Sequence, residues 1–148
     1  VKYFTTQWWS DGCKNADTVF QQYERYLASV RHRLPAALCE LEDNHTLHDS
    51  RVKQIVSDFP SRCVKIVLHG WDRTLSHQVC YTLSFSGVSI FEQDIPTGRN
   101  NWAELGDLGY WECEVLSQGI EIRMLFASSA EFRIAFEGFE FLHAKMSA

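Results

Sequence analysis

The chain has no apolar run close to the ~18 residues that a membrane span requires. Its first residues, Val1-Lys2-Tyr3-Phe4, hold no apolar leader core. No membrane partner is expected, and the expected location is cytoplasmic. Basic residues are few and scattered: Lys and Arg number 14 against 19 Asp and Glu, a net charge of −5. Nucleic-acid binding rests on clustered cations that displace phosphate counterions, so a nucleic-acid partner is not expected and a basic partner is favoured. The five cysteines, Cys13, Cys39, Cys63, Cys80 and Cys113, are odd in number and form no C-x-x-C pair. They read neither as a disulfide framework nor as a zinc pattern, but as reduced, buried thiols. There is no Gly-x-Ser-x-Gly elbow, and Gly98, Gly106 and Gly109 match neither nucleotide-binding fingerprint. No cofactor and no metal are expected. With only three Pro and eight Gly, disorder is not expected either.

What is present is a chain of 148 residues, 45% hydrophobic and 22% charged, long enough to bury a core as a single domain over 1–148. Aromatics reach 14%, which points to a core of large rings with some left for the surface. Val1 in place of Met fits a GUG start codon, pointing to a bacterial gene, or a shortened chain.

Residues 1–13, with Tyr3, Phe4, Trp8 and Trp9, read as a short packed strand or turn ending at Asp11-Gly12. Val19, Phe20, Tyr23, Leu27, Val30 and Leu34 then step by three and four along one helical face, with Asn15 or Asp17 as cap. Pro35 kinks or breaks this helix and suits the first turn of a second, which carries Leu38 and Leu41 and frays over Glu40–Asn44. After His45 the period drops to two. Strands are expected at Val52–Val56, Val64–Leu68, Val79–Phe85, Tyr110–Leu116, Ile120–Phe126 and Glu131–Phe136. Val88–Phe91 is a short candidate, and Gly138–Leu142 extends the last strand or bends away. The stretch 94–109 is the one long loop expected. Helices first and about six antiparallel strands after them argue α+β, with the N-terminal helix packed on one face of a single mostly antiparallel sheet. Glu121, Arg123, Arg133 and Glu137 belong to its outer face.

Several short motifs look familiar together: Lys2-Tyr3-Phe4-Thr5 with Trp8, Leu34-Pro35, Leu47-His48-Asp49-Ser50-Arg51-Val52, Phe85-Ser86-Gly87-Val88, and Gly109-Tyr110-Trp111-Glu112-Cys113-Glu114. They resemble a group of small uncharacterised bacterial proteins, a domain-of-unknown-function set. The resemblance implies an α+β fold. By type, such proteins include immunity partners of secreted toxins and products of mobile gene cassettes, an analogy without a transferable site.

The densest chemistry lies at His45, His48 and Asp49. Imidazole and carboxylate suit a transition metal if His69, His77 or His143 joins them. The competing reading makes His48 and Asp49 the organisers of the helix-to-strand turn, with His48 bonded to a backbone carbonyl and Asp49 forming an Asx turn. Glu112 and Glu114 share one strand face, opposite Trp111 and Cys113. They form either a carboxylate pair or a plain solvated face. Trp71, Trp102 and Trp111 are candidate interface anchors. The leading expectation is a binding or interaction protein rather than an enzyme, engaging a basic protein through Trp71, Trp102, Trp111, Glu112, Glu114, His48 and Asp49. The alternatives are a small metal-dependent hydrolase using His45, His48 and Asp49, and a homo-oligomeric module, such as a homodimer, that buries a sheet face or an edge strand.

Overall fold

A two-residue side-chain period decides which face of each strand is buried. The computed structural model describes residues 2–96 and 104–147. In β2 (Cys63–Trp71) the inward residues are Val64, Ile66 and Leu68, and in β3 (Gln78–Ser86) they are Val79, Tyr81, Leu83 and Phe85; all are buried. With β1 (Arg51–Asp58) and β8 (Gly138–Lys145) these strands form an antiparallel sheet in the order β1-β2-β3-β8. A second antiparallel sheet has the order β4-β7-β6-β5, from β4 (Ile90–Asp94), β5 (Leu108–Val115), β6 (Ile120–Phe126) and β7 (Glu131–Phe136). One apolar cluster runs through both sheets. Phe85 of the first sheet meets Phe136 of the second, with ring centroids 5.0 Å apart.

The fold is α+β, but its strands make two four-stranded sheets, not one sheet of about six. The extra strands are β4 and β8. Only Glu137 separates β7 from β8, too short an interruption to read as a loop. At Gly138 the backbone crosses the side chain of Ser86, where a Cβ would stand 2.4 Å from the hydroxyl. The chain thereby leaves the second sheet and pairs with β3 of the first. The expected outer face also changes. Glu121 is buried, because Arg123 Nε lies 2.9 Å and Arg133 Nε 3.5 Å from its carboxylate. Glu92 in turn holds Arg133 through two bonds, of 3.0 and 2.6 Å. Across four strands the register reads Glu112, Arg123, Arg133, Glu92.

The amino-terminal aromatics form a one-turn helix, α1 (Thr6–Ser10), rather than a strand, because the Thr5 hydroxyl caps the Trp8 amide at 3.0 Å. The long helical stripe is α2 (Ala16–Val30), followed by a 3₁₀ turn over Arg31–Arg33. Asn15 stands at the N-cap position in left-handed backbone without a side-chain cap bond. Pro35 opens α3 (Ala36–Asn44), whose Leu38 and Leu41 are buried. The helices do not blanket one sheet face. Helix α2 lies along the edge of β5, where the Tyr23 hydroxyl accepts the Cys113 amide (2.7 Å) and the Tyr26 hydroxyl accepts the Val115 amide (2.9 Å). That placement leaves Phe20 partly in solvent while Tyr23 is buried. Among the described residues no helix is long and apolar enough to cross a membrane.

Candidate functional site

The Leu47–Ser50 stretch carries the chain from α3 to β1, and its chemistry is spent on the backbone of β5. The Asp49 amide donates to the Leu108 carbonyl (2.9 Å), and the Leu108 amide donates to the Ser50 carbonyl (2.8 Å). The His48 ring nitrogen Nδ1 lies 2.7 Å from the Gly109 carbonyl, which makes Nδ1 the protonated nitrogen. Asp49 adopts left-handed backbone, φ +60°, which Asp tolerates better than most residues. Its carboxylate faces His48 Nε2 at 3.4 Å instead of closing the Asx turn that its position suggested.

His45 points elsewhere. Its ring packs among Tyr81, Phe141 and His143, with the His143 centroid 4.5 Å away, and Glu40 Oε1 lies 3.7 Å from its Nε2. Burial, and then the neighbouring His143, lower its pKa. His45 and His48 therefore diverge, the former toward the β3–β8 side and the latter onto β5. His69 sits opposite Cys80 in the first sheet, and His77 belongs to the loop built on Asp72. Among the described residues no three potential ligands stand together in a way that could hold a metal.

Glu112 and Glu114 do share a face, but they hold the start of the chain. The Glu112 carboxylate accepts the amides of Lys2 (2.7 Å), Tyr3 (3.0 Å) and Phe4 (3.1 Å), and Glu112 is only 5% exposed. Lys2 Nζ pairs with Glu114 at 2.5 Å. This clasp sets Phe4 onto Tyr110 and Tyr23, at centroid distances of 5.4 and 5.3 Å. Trp8 and Trp9, which cannot share one direction in an extended chain, instead flank Tyr110 from α1, each with its ring 5.1 Å away. Trp9 lies so close over Gly109 that a Cβ there would come within 2.3 Å of its ring.

Along the edge of β5 a cavity of about 710 Å³ opens between α2, α3 and the strand. Apolar and aromatic walls come from Phe4, Phe20, Tyr23, Leu27, Tyr110 and Trp111. Its polar groups are Glu24, Glu42, Asp43, Arg31, Arg73 and His48. Glu42 is the inner group. Its Oε1 accepts Trp111 Nε1–H at 3.1 Å and the Cys113 thiol at 3.6 Å. Burial raises the Glu42 pKa against the opposing pull of these donors. The same enclosure pushes the Tyr23 hydroxyl and the Cys113 thiol well up, so both stay protonated. At the rim Arg31 forms a two-bond pair with Asp43, which lowers the Asp43 pKa. Arg73 is carried by a loop in which Asp72 accepts the Thr74 hydroxyl and the amides of Ser76 (2.6 Å) and His77 (2.9 Å). These bonds, the Thr74 hydroxyl first, hold the Asp72 pKa low.

Of the residues singled out from sequence, Trp111 and His48 border this cavity. Glu112 and Glu114 serve the clasp, Asp49 the turn, and Trp71 stands half-buried at the end of β2, where its carbonyl accepts the Tyr81 hydroxyl. Trp102 lies outside the described residues, with the 97–103 part of the long loop. The group that sequence reading missed is Glu42. It lay in what read as a frayed helix end, yet it follows Leu38 by four residues and so falls on the apolar face of α3.

These features define a small α+β protein with a part-enclosed, aromatic-walled cavity between its helices and one edge of a sheet. The chain belongs to the DUF4085 family, described as a protein of unknown function, whose family model matches residues 1–135. That agrees with the resemblance to a domain-of-unknown-function group. No curated protein and no solved structure matches the chain.

Proposed function

We propose that the protein is a binding protein rather than an enzyme, and that the α2–α3–β5 cavity receives a basic side chain of a protein partner. The observation that carries this reading is the Glu42 carboxyl set among Tyr23, Trp111 and Cys113 in a cavity of about 710 Å³, a size typical of ligand sites. A Lys or Arg head group entering between Phe20, Tyr110 and Trp111 gains cation–π attraction and a charge-assisted bond to Glu42. Glu24 adds a second acid to the lining, and Arg31 is neutralised by Asp43. The net charge of −5 favours approach of a basic partner. Neutralisation of a basic toxin in the bacterial cytoplasm, in the manner of an immunity protein, is the concrete form of this function.

The test uses N-acetyl-arginine amide and N-acetyl-lysine amide as probes, with the norleucine amide as the neutral control, read by tryptophan fluorescence with Trp111→Phe as reference. The cationic probes bind and the neutral one does not. Glu42→Gln weakens them about tenfold, as expected for loss of one charge-assisted bond. Equal binding of norleucine, or no effect of Glu42→Gln, overturns the proposal. Affinity for the cations rises as pH climbs through the elevated Glu42 pKa, because the carboxyl ionises. Folding stability runs the other way. The folded state holds a proton that the unfolded state releases near 4.5, so stability falls as pH rises from there through the folded pKa, and Glu42→Gln flattens that slope.

A further inference from the structure

The four sheet edges are finished differently, and β8 is the one left open. An unprotected edge strand offers unpaired amides and carbonyls as a template for another strand, and proteins blunt such edges with bulges, charges, proline, short length or a cover. The edge of β1 carries a register shift between Val52 and Gln54, with exposed Lys53 at the shift. The edge of β4 is five residues long, bears Glu92 and Asp94, and stops ahead of Pro96. The edge of β5 is capped by Ser50, His48, Tyr23 and Tyr26. Strand β8 has eight residues in unbroken register with β3 and no proline; its charges are Glu140 and the terminal Lys145, and α3 packs against it without bonding its main chain.

The phase of its hydrogen bonds follows from one contact. The Met146 amide donates to the Gln78 carbonyl at 2.9 Å, and the register continues without a shift from Val79–Lys145 to Ser86–Gly138. In an antiparallel ladder hydrogen-bonded pairs alternate, so the even-numbered residues of β8 face β3. The amides and carbonyls of Phe139, Phe141, His143 and Lys145 point away from the sheet, and among the described residues nothing caps them.

We infer that β8 pairs antiparallel with β8 of a second copy of this chain about a two-fold axis at Leu142, joining the two first sheets into one continuous sheet. Two residues facing each other across an antiparallel pair share a sheet face, so the two-fold axis must place odd residues opposite odd ones. Centring it on Leu142 sets Phe141 against the partner copy's His143 on one face. It also brings the two Leu142 side chains together at a close, non-hydrogen-bonded position on the other. Leu142 is 73% exposed, surpassed among the large apolar side chains of the described residues only by Phe59 at 87%. A second copy removes this exposed side chain and satisfies the open ladder with the same residues on both sides, as a closed two-fold contact requires.

Light scattering on the full chain, across a concentration series reaching high micromolar, tests this. The expected species is a dimer. His143→Pro removes one outward amide without touching the β3 ladder, and proline is tolerated where the amide faces out of an edge. Leu142→Lys places like charges across the axis. Both variants are expected to be monomeric with unchanged circular dichroism. If His143→Pro perturbs the fold, Leu142→Lys alone decides. A wild-type chain that stays monomeric throughout overturns the inference, as does a dimer that survives Leu142→Lys.

Discussion

Strands β5 and β8 are both eight-residue edge strands, and they are finished in opposite ways. Several outward groups of β5 meet a partner: the Leu47–Ser50 turn at its start, Tyr23 and Tyr26 on the Cys113 and Val115 amides, and Arg33 on the Leu116 carbonyl just past its end, at 3.0 Å. Its faces are occupied as well, by the amino-terminal clasp on Glu112 and by the cavity cluster on Trp111 and Cys113. Strand β8 carries five exposed positions among its eight; α3 and the His45 ring pack against it, but among the described residues no side chain bonds its outward main-chain groups. The difference shows what the helical layer is for. Helix α2 meets one edge with side chains and makes a cavity in doing so, whereas α3 packs against β8 without capping its outward main-chain groups.

The largest effect is expected from Glu112→Ala. It strands three amides that a buried carboxylate satisfies, and should cost about 3 kcal/mol in urea unfolding, at the upper end for bonds to a charged group. Glu140→Ala on exposed β8 is its counterpart and should stay within about 0.5 kcal/mol. Similar losses at the two positions would break the contrast between the strands. Tyr23→Phe comes next. Removing the hydroxyl leaves the buried Cys113 amide without its acceptor, and about 2 kcal/mol should be lost by thermal unfolding. A neutral outcome would mean that the edge is closed by packing alone. The smallest is His48→Ala, which frees the Gly109 carbonyl near the protein surface and should cost about 1 kcal/mol. A metal-dependent enzyme would instead lose activity with its melting temperature unchanged, so the two readings of this histidine separate cleanly.

Much of the fold was legible in the sequence. Period-two alternation located β2, β3, β6 and β7, and Pro35 divided the helices, because those signals are local. The division into two sheets was not legible, since it turns on Glu137 and Gly138 and on a contact with Ser86, 52 residues away from Gly138. The site was half legible. Trp111 and His48 stood out by residue type. Glu42 did not, because acidic residues near a helix end usually face water, and only the tertiary approach of Trp111 and Cys113 sets it in a cavity. The Glu112–Glu114 pair was seen, but its purpose was hidden, because the backbone amides it binds belong to residues more than a hundred positions earlier.

The Ser50–Leu108 bridge has a consequence for how the molecule comes apart. It ties the entry to the first strand of one sheet to the fifth strand of the other through two main-chain bonds, the Leu108 amide on the Ser50 carbonyl and the Asp49 amide on the Leu108 carbonyl. Sheets that merely pack against each other can separate as independent units, whereas sheets riveted at a buried corner open together. The Leu47–Ser50 stretch, first noticed for its reactive side chains, acts as that rivet. Its main-chain bonds fasten the start of β1 to β5 of the other sheet.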